Sequence, residues 1–167
     1  VAPLALLAKV LGSAAQQDGA SASLTAPNGS SQRRLMRTVQ VQARAEASEA
    51  SYCEAHGTGT GLGDPIEVGS AATAMAAPRV ASEAALACGS VKANTGHLEA
   101  TAAGSGVLSV AQVVLGREGA SPCAQLRRRN KHLSMLMRGA HCEFAASVQP
   151  PVMRGGAQGH KLRQHQR

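Results

Sequence analysis

The segment YCEAHGTGTGLGDPIE, Tyr52 to Glu67, sets His56 directly before Gly57, Gly59, Gly61 and Gly63 and then closes on Asp64-Pro65. Two chemistries suit such a loop: cradling a phosphate on backbone amides, or presenting the imidazole as a catalytic group. Spacing argues against the first. From Gly57 the dinucleotide fingerprint needs glycine at 59 and 62, and the second of these is Leu62; from Gly59 it needs glycine at 61 and 64, and the second is Asp64. A Walker loop ends in Gly-Lys-Ser/Thr, whereas here Asp64 would put a negative charge where the phosphate should lie. A single histidine at a strand end is more often structural than catalytic. A second segment, GSVKANTGHLEA, shifts that balance, because it puts His97 in a matching strand-to-helix loop with Lys92 five residues earlier. Two imidazoles and an ammonium would then converge on one edge of a sheet, the edge at which open α/β sheets carry their sites.

The elements that must hold these groups read as two strand–loop–helix units. SYCEA is an apolar strand running into the glycine loop. Asp64, Pro65 and Glu67 make a capping-box-like start, so a helix is expected from Pro65 toward Ala77, stopping before Pro78. ALACGSV reads as a second buried strand, KANTGH as a loop and LEATAAGSGVLSVAQVVL as a helix, in which Gly104 and Gly106 cost stability unless something packs closely there. Upstream, PLALLAKVLGSA reads as a buried strand or helix. GSAAQQDGASASLTAPNGSS reads as a long loop ending in the Pro27-Asn28-Gly29 turn. Ser30 or Ser31 is expected to cap an amphipathic helix with Leu35, Met36, Val39 and Ala43 on its apolar face and Arg33, Arg34, Arg37 and Arg44 elsewhere. Downstream, QLRRRNKHL suggests an extended connector and EFAASV a strand. The repeated units argue for an α/β fold with strands buried between helices.

Composition bounds the rest. The chain of 167 residues suits one domain, with a core of Ala, Val, Leu and Ile, since it has no Trp, one Tyr and one Phe. Its first residue is Val1, which suggests a piece of something longer. The net charge of +7 is uneven: residues 1–126 hold eight Lys+Arg against nine Asp+Glu, and residues 127–167 hold nine against one, Glu143. Such basic runs are mostly solvated surface or disordered tail, and otherwise a docking surface for an acidic partner. Nucleic acid is the weaker choice, because stacking platforms are almost absent. Cys53, Cys88, Cys123 and Cys142 stand far apart without C-x-x-C pairing, so neither a metal site nor a disulfide framework is signalled. No apolar run reaches membrane-span length, and a reduced, cytoplasmic setting is the default expectation, with an organelle left open.

EAHGTGTGLGDPIE together with GSVKANTGHLEA resembles the C-terminal half of β-ketoacyl synthases, the condensing enzymes of polyketide and fatty acid synthesis. GSAAQQDGASASLTAPNGSSQ resembles the segment leading into that half in modular polyketide synthases. The resemblance implies a thiolase-like half, a partial ketosynthase fold with a mixed sheet and flanking helices over residues 1–149, followed by a basic, disordered tail over 150–167. By the same resemblance, His56 and His97 are the active-site histidines that stabilise the enolate formed when a malonyl-type extender loses carbon dioxide, and Lys92 is the active-site lysine. Thr58 and Thr60 match the hydroxyls that bind the pantetheine arm. No cofactor is expected to bind directly, because substrates ride on the phosphopantetheine of acyl carrier protein. Partners implied are that carrier protein, the N-terminal ketosynthase half or other synthase domains, and a second copy in a dimer.

Departures from the family pattern matter as much. The nucleophilic cysteine belongs to an Asp-Thr-Ala-Cys-Ser-Ser motif, and no such motif stands in this sequence. Cys53 reads as a core thiol. The closing Gly-Phe-Gly-Gly-Thr-Asn-Ala-His segment is replaced by PPVMRGGAQGHKLRQHQR. The expectation is a chain that does not condense substrates on its own and exposes apolar surface that a partner half would cover. The alternative is a ketosynthase-like module that binds carrier protein or a synthase subunit without chemistry, using Arg127 to Arg129 and Lys131.

Overall fold

The computed structural model describes residues 6, 8–21, 26–76, 84–115, 122–123 and 131–144. The tail over 150–167, Arg127 to Arg129, most of the QLRRRNKHL connector, the Ala77-Pro78 helix stop and the part of EFAASV beyond Phe144 lie outside them.

Helix α1 (Gly29–Ala43) is capped by Asn28, two to three residues earlier than the serine cap expected from sequence. Asn28, in an extended conformation, accepts the N–H groups of Ser30 and Ser31 on its Oδ1, both at 3.1 Å. An Asn side chain at the N-cap reaches two amides that would otherwise lack partners, which leaves Ser31 free to be buried. Its hydroxyl receives the Gln16 side chain and donates to the Gln17 carbonyl at 3.3 Å. The Asn28 amide donates to the carbonyls of Asp18 and Ala20, so the irregular loop is tied over the helix start. Leu35, Met36, Val39 and Ala43 are half-buried and Arg34 and Arg37 exposed, as the periodicity required. The opening PLALLAKVLGSA segment differs from expectation. Its described residues are irregular, and Leu6, Val10 and Leu11 are exposed, because no described strand pairs with them.

Strands β1 (Tyr52–Glu54), β2 (Leu86–Gly89) and β3 (Cys142–Phe144) form a sheet in the order β1-β2-β3. Cys53 sits opposite Cys88, and Leu86 opposite Cys142. A mixed sheet was expected; both pairings among the described strands are parallel. Helix α2 (Gly63–Ala71) continues into a π-helical turn over Ala72–Ala76 and connects β1 to β2, as parallel strands require. Its alanines pack with Leu133 and Met137 of α5 (Lys131–Gly139) on one face of the sheet, over Leu86, Cys88 and Cys142. Leu86 has no exposed surface, a burial worth about 2 kcal/mol. Helix α4 (Ala102–Val114) covers the other face of β1, where Val113 meets Tyr52. Neither glycine of this helix is required by close packing: a methyl at Gly106 would stand 3.4 Å from Glu54 Cγ, an ordinary contact, and one at Gly104 would meet open space.

The strand order gathers three cysteines that the sequence scatters. Cys53 packs against the core formed by Cys88 and Cys142, and all four cysteines are free thiols. Contacts with the Cys142 and Cys53 thiols, and burial, push the Cys88 thiol far up, which makes it an uncharged core group. Apolar surface remains at Val107 and Leu108 of α4, 69% and 67% exposed, and at Met135 of α5, the kind of surface expected of a partial fold.

Candidate functional site

The site is built at the ends of β1 and β2. The β1–β2 ladder extends one step beyond the strands, with Ala55 N–H donating to the Gly89 carbonyl at 2.8 Å. Just past that step the chain turns into the glycine loop. Gly57 and Gly59 take φ of +53° and +80°, values that favour glycine. The loop is then held from below by α2. Glu67 accepts the N–H of His56 on Oε1 at 2.6 Å and that of Gly57 on Oε2 at 3.0 Å. Asp64 Oδ1 accepts the Gly59 N–H at 3.1 Å.

These bonds correct the capping-box expectation. Helix α2 starts at Gly63, and Asp64 and Glu67 turn back to the loop amides instead of capping the helix. The hydroxyl of Thr60 does the capping, accepting the Gly63 N–H at 3.2 Å. Pro65 falls inside the first turn, where its missing N–H leaves nothing unpaired.

Desolvation raises the carboxyl pKa of Asp64, opposed by the Gly59 N–H and reinforced by the charge of Glu67. A carboxyl whose pKa is raised on folding binds protons more readily in the native state. Stability attributable to Asp64 therefore grows as pH falls through its raised folded value and is lost as pH climbs above it. Asp64→Asn keeps an acceptor for Gly59 without the charge. Urea midpoints measured from mildly acidic to neutral pH are expected to be equal or higher in the variant at neutral pH, with a flatter pH dependence than the parent.

Lys92 and His97 come from the β2 side. The KANTGH segment, expected as a loop, contains one helical turn, α3 (Lys92–Thr95), ended by Gly96 at φ +77°. That turn is fixed to β1 by Glu54, whose Oε1 accepts the Val91 N–H at 2.7 Å. Glu54 Oε2 also takes the Tyr52 hydroxyl at 2.6 Å and that of Ser109 at 3.4 Å. Burial and this carboxylate push the Tyr52 phenol well above its usual range, so it remains a donor. Ser90 closes the frame by donating its hydroxyl to the His56 carbonyl at 3.4 Å.

The imidazoles of His56 and His97 meet edge to face, with ring centroids 5.5 Å apart and planes at 89°. Lys92 borders two clefts. One, of about 690 Å³, is lined by Thr58, Ser90, His97, Cys88 and Cys123. The other, of about 490 Å³, is lined by His56, Glu54 and Glu99. Lys92 thus stands between the two histidine clefts. Thr58 shares the first cleft, while Thr60 borders neither and serves the helix start. Both histidines are exposed, in contrast to the dry surroundings expected of charge-stabilising donors. Glu54 and Glu67, the two groups that hold the site together, were not expected as site residues.

This architecture is a thiolase-like half, a partial ketosynthase fold. It is similar to the oxazolomycin ketosynthase domain OzmH KS7 of Streptomyces albus JA3453, with a TM-score of 0.78 and 28% identity over 87% of this chain and 25% of that one. The ketosynthase from module 6 of the bacillaene synthase of Bacillus subtilis 168 gives 0.73 and 30% over the same shares. Residues 7–121 match the family model of the beta-ketoacyl synthase C-terminal domain, and the chain belongs to that family. Over 94 residues, 56% of its length, it is 51% identical to polyketide synthase GfsA of Streptomyces halstedii and 48% identical to pikromycin polyketide synthase component PikAII of Streptomyces venezuelae. The chain spans 1% and 2% of those two proteins.

Proposed function

We propose that the chain supplies the histidine-bearing part of a β-ketoacyl synthase of polyketide or fatty acid type. The complete domain would join an acyl group, held as a thioester on a cysteine, to a malonyl-type extender on acyl carrier protein. Loss of carbon dioxide from the extender leaves an enolate, whose carbon attacks the acyl carbonyl and expels the cysteine thiolate. Negative charge gathers on the extender's thioester oxygen, and N–H donors aimed at that oxygen lower the barrier. In this reading His56 and His97 are those donors, and Lys92 contributes positive charge without acting as a nucleophile. In the same reading the hydroxyl of Thr58, which lines the cleft of His97, meets the pantetheine arm.

The observation that supports the reading best is the edge-to-face pair of His56 and His97 with Lys92 bordering both clefts. The test is binding of malonyl-pantetheine to the full chain, followed through the histidine ring resonances. Replacing either histidine with alanine is expected to weaken binding about fivefold, the loss of one hydrogen bond of about 1 kcal/mol. Unchanged affinity in both variants would contradict the assignment. Supplied with acyl and malonyl carrier thioesters, the chain on its own is expected to form no condensed product.

A second reading, carrier binding without chemistry, is favoured by the exposure of both histidines, since donors in contact with water stabilise charge less than donors in a dry site.

A further inference from the structure

Lys92 is placed by its backbone. Among the described residues its ammonium meets no hydrogen-bond or ion-pair partner, so where that charge stands depends on how the turn beneath it is held. The turn, α3, is four residues long, too short to be stable by itself. Its fixed point is Val91. The Val91 carbonyl accepts the amides of Asn94 and Thr95 at 2.9 and 3.0 Å. Its own N–H, which has no acceptor within the turn, goes to Glu54 Oε1 at 2.7 Å. No side chain of the turn caps it, so this bond from β1 takes the place of a cap.

Glu54 gives one oxygen to Val91 because the other is occupied. The Tyr52 phenol donates to Oε2 at 2.6 Å, and the Ser109 hydroxyl of α4 reaches the same atom at 3.4 Å. Tyr52 in turn lies across the last residue of β2: a methyl group at Gly89 would stand 2.7 Å from its hydroxyl oxygen, so a larger residue there would displace the phenol. The carboxylate is thus oriented from β1, β2 and α4 together, and it borders the cleft of His56 and Lys92. We infer that Glu54 is a positioning residue for Lys92, setting through the Val91 amide where the ammonium meets the malonyl thioester, an inference that rests on the function proposed above. Glu54 acts by its reach and not by its charge, since no ion pair joins it to Lys92.

Titration of the full chain with malonyl-pantetheine tests this. Glu54→Ala is expected to weaken binding about fivefold, as Lys92→Met does, the loss of one contact to the thioester. The E54A/K92M variant is expected to bind no more weakly than K92M alone, whereas independent losses would multiply to about twenty-five-fold. Glu54→Asp keeps the charge but falls one methylene short of Val91. It is expected to lose as much as alanine, and it keeps the measurement available should alanine loosen the fold. Glu54→Gln keeps an acceptor at the right distance and is expected to recover most of the affinity, an order that a charge effect would reverse. In the ligand-free chain the Lys92 Cε resonance is expected to move in the alanine and aspartate variants and to stay near its parent position in the glutamine variant. Multiplied losses in the double variant, or a glutamine variant weaker than the aspartate one, would overturn the inference. The ligand-free resonance separates it from the function on which it rests. If Lys92→Met leaves the affinity unchanged while Glu54→Asp still moves the Lys92 resonance, the proposed function fails and the positioning stands. If Lys92→Met weakens binding while Glu54→Asp leaves both affinity and resonance as in the parent, the positioning fails and the proposed function stands.

Discussion

Replacing Glu67 with alanine is expected to lower the stability of the chain by about 3 kcal/mol and to release the loop that carries His56. One carboxylate there accepts two successive backbone amides, those of His56 and Gly57, at 2.6 and 3.0 Å. Each such bond to a charged acceptor contributes about 1.5–3 kcal/mol, and partial exposure places this pair at the lower end. Some of the loss is returned, because the charge of Glu67 is one of the causes that raise the Asp64 pKa. Glu67→Gln is the informative companion. Its single amide oxygen can accept one N–H, and its NH₂ group then faces the other, so about half the loss is expected. Urea unfolding at constant slope measures both effects. A loss below about 0.5 kcal/mol for the alanine variant would mean that the loop does not depend on α2.

Gly57→Ala is expected to cost about as much by a different route. At φ +53° an L-residue pays about 1–2 kcal/mol for the left-handed conformation. A methyl group at that position would also stand 2.6 Å from Ser90 Cβ and 2.8 Å from Ser90 Oγ, an overlap that costs about 1–3 kcal/mol to relieve. The total is about 3 kcal/mol. Two neighbouring glycines separate the contributions. Gly59, at φ +80° in open space, should show the backbone cost alone, and Gly61, with open space and no positive φ, should tolerate alanine. Combining Gly57→Ala with Ser90→Gly is expected to return the part due to overlap. Equal melting temperatures for the alanine variants at 57 and 61 would contradict this account of the loop.

These two residues show how far the sequence could be read. The strand of SYCEA, the strand of ALACGSV and the helix after Asp64-Pro65 were legible because each joins an apolar run to a chain-direction signal. The meeting of His56 with His97 was legible for a related reason: matching strand–loop–helix units in neighbouring parallel strands must place their loops on one edge. The direction in which side chains turn was not legible. Asp64 and Glu67 look like a capping box, yet they serve amides of the preceding loop, while Thr60 accepts the first amide of the helix. Glu54 gave no local signal, since two of its partners, Val91 and Ser109, stand 37 and 55 residues away in sequence. The convergence of Cys53 and Cys142 on Cys88 likewise depends on strand order, which residue spacing does not encode.

We propose that the two histidines and Lys92 act as one thioester-binding group. A titration of the full chain with malonyl-pantetheine, read simultaneously on both imidazole rings and on the Lys92 side chain, tests it most directly. All three are expected to respond along one saturation curve, and Lys92→Met is expected to weaken the response of both rings together. Rings that respond separately, or that stay unmoved while the chain remains folded, would contradict it.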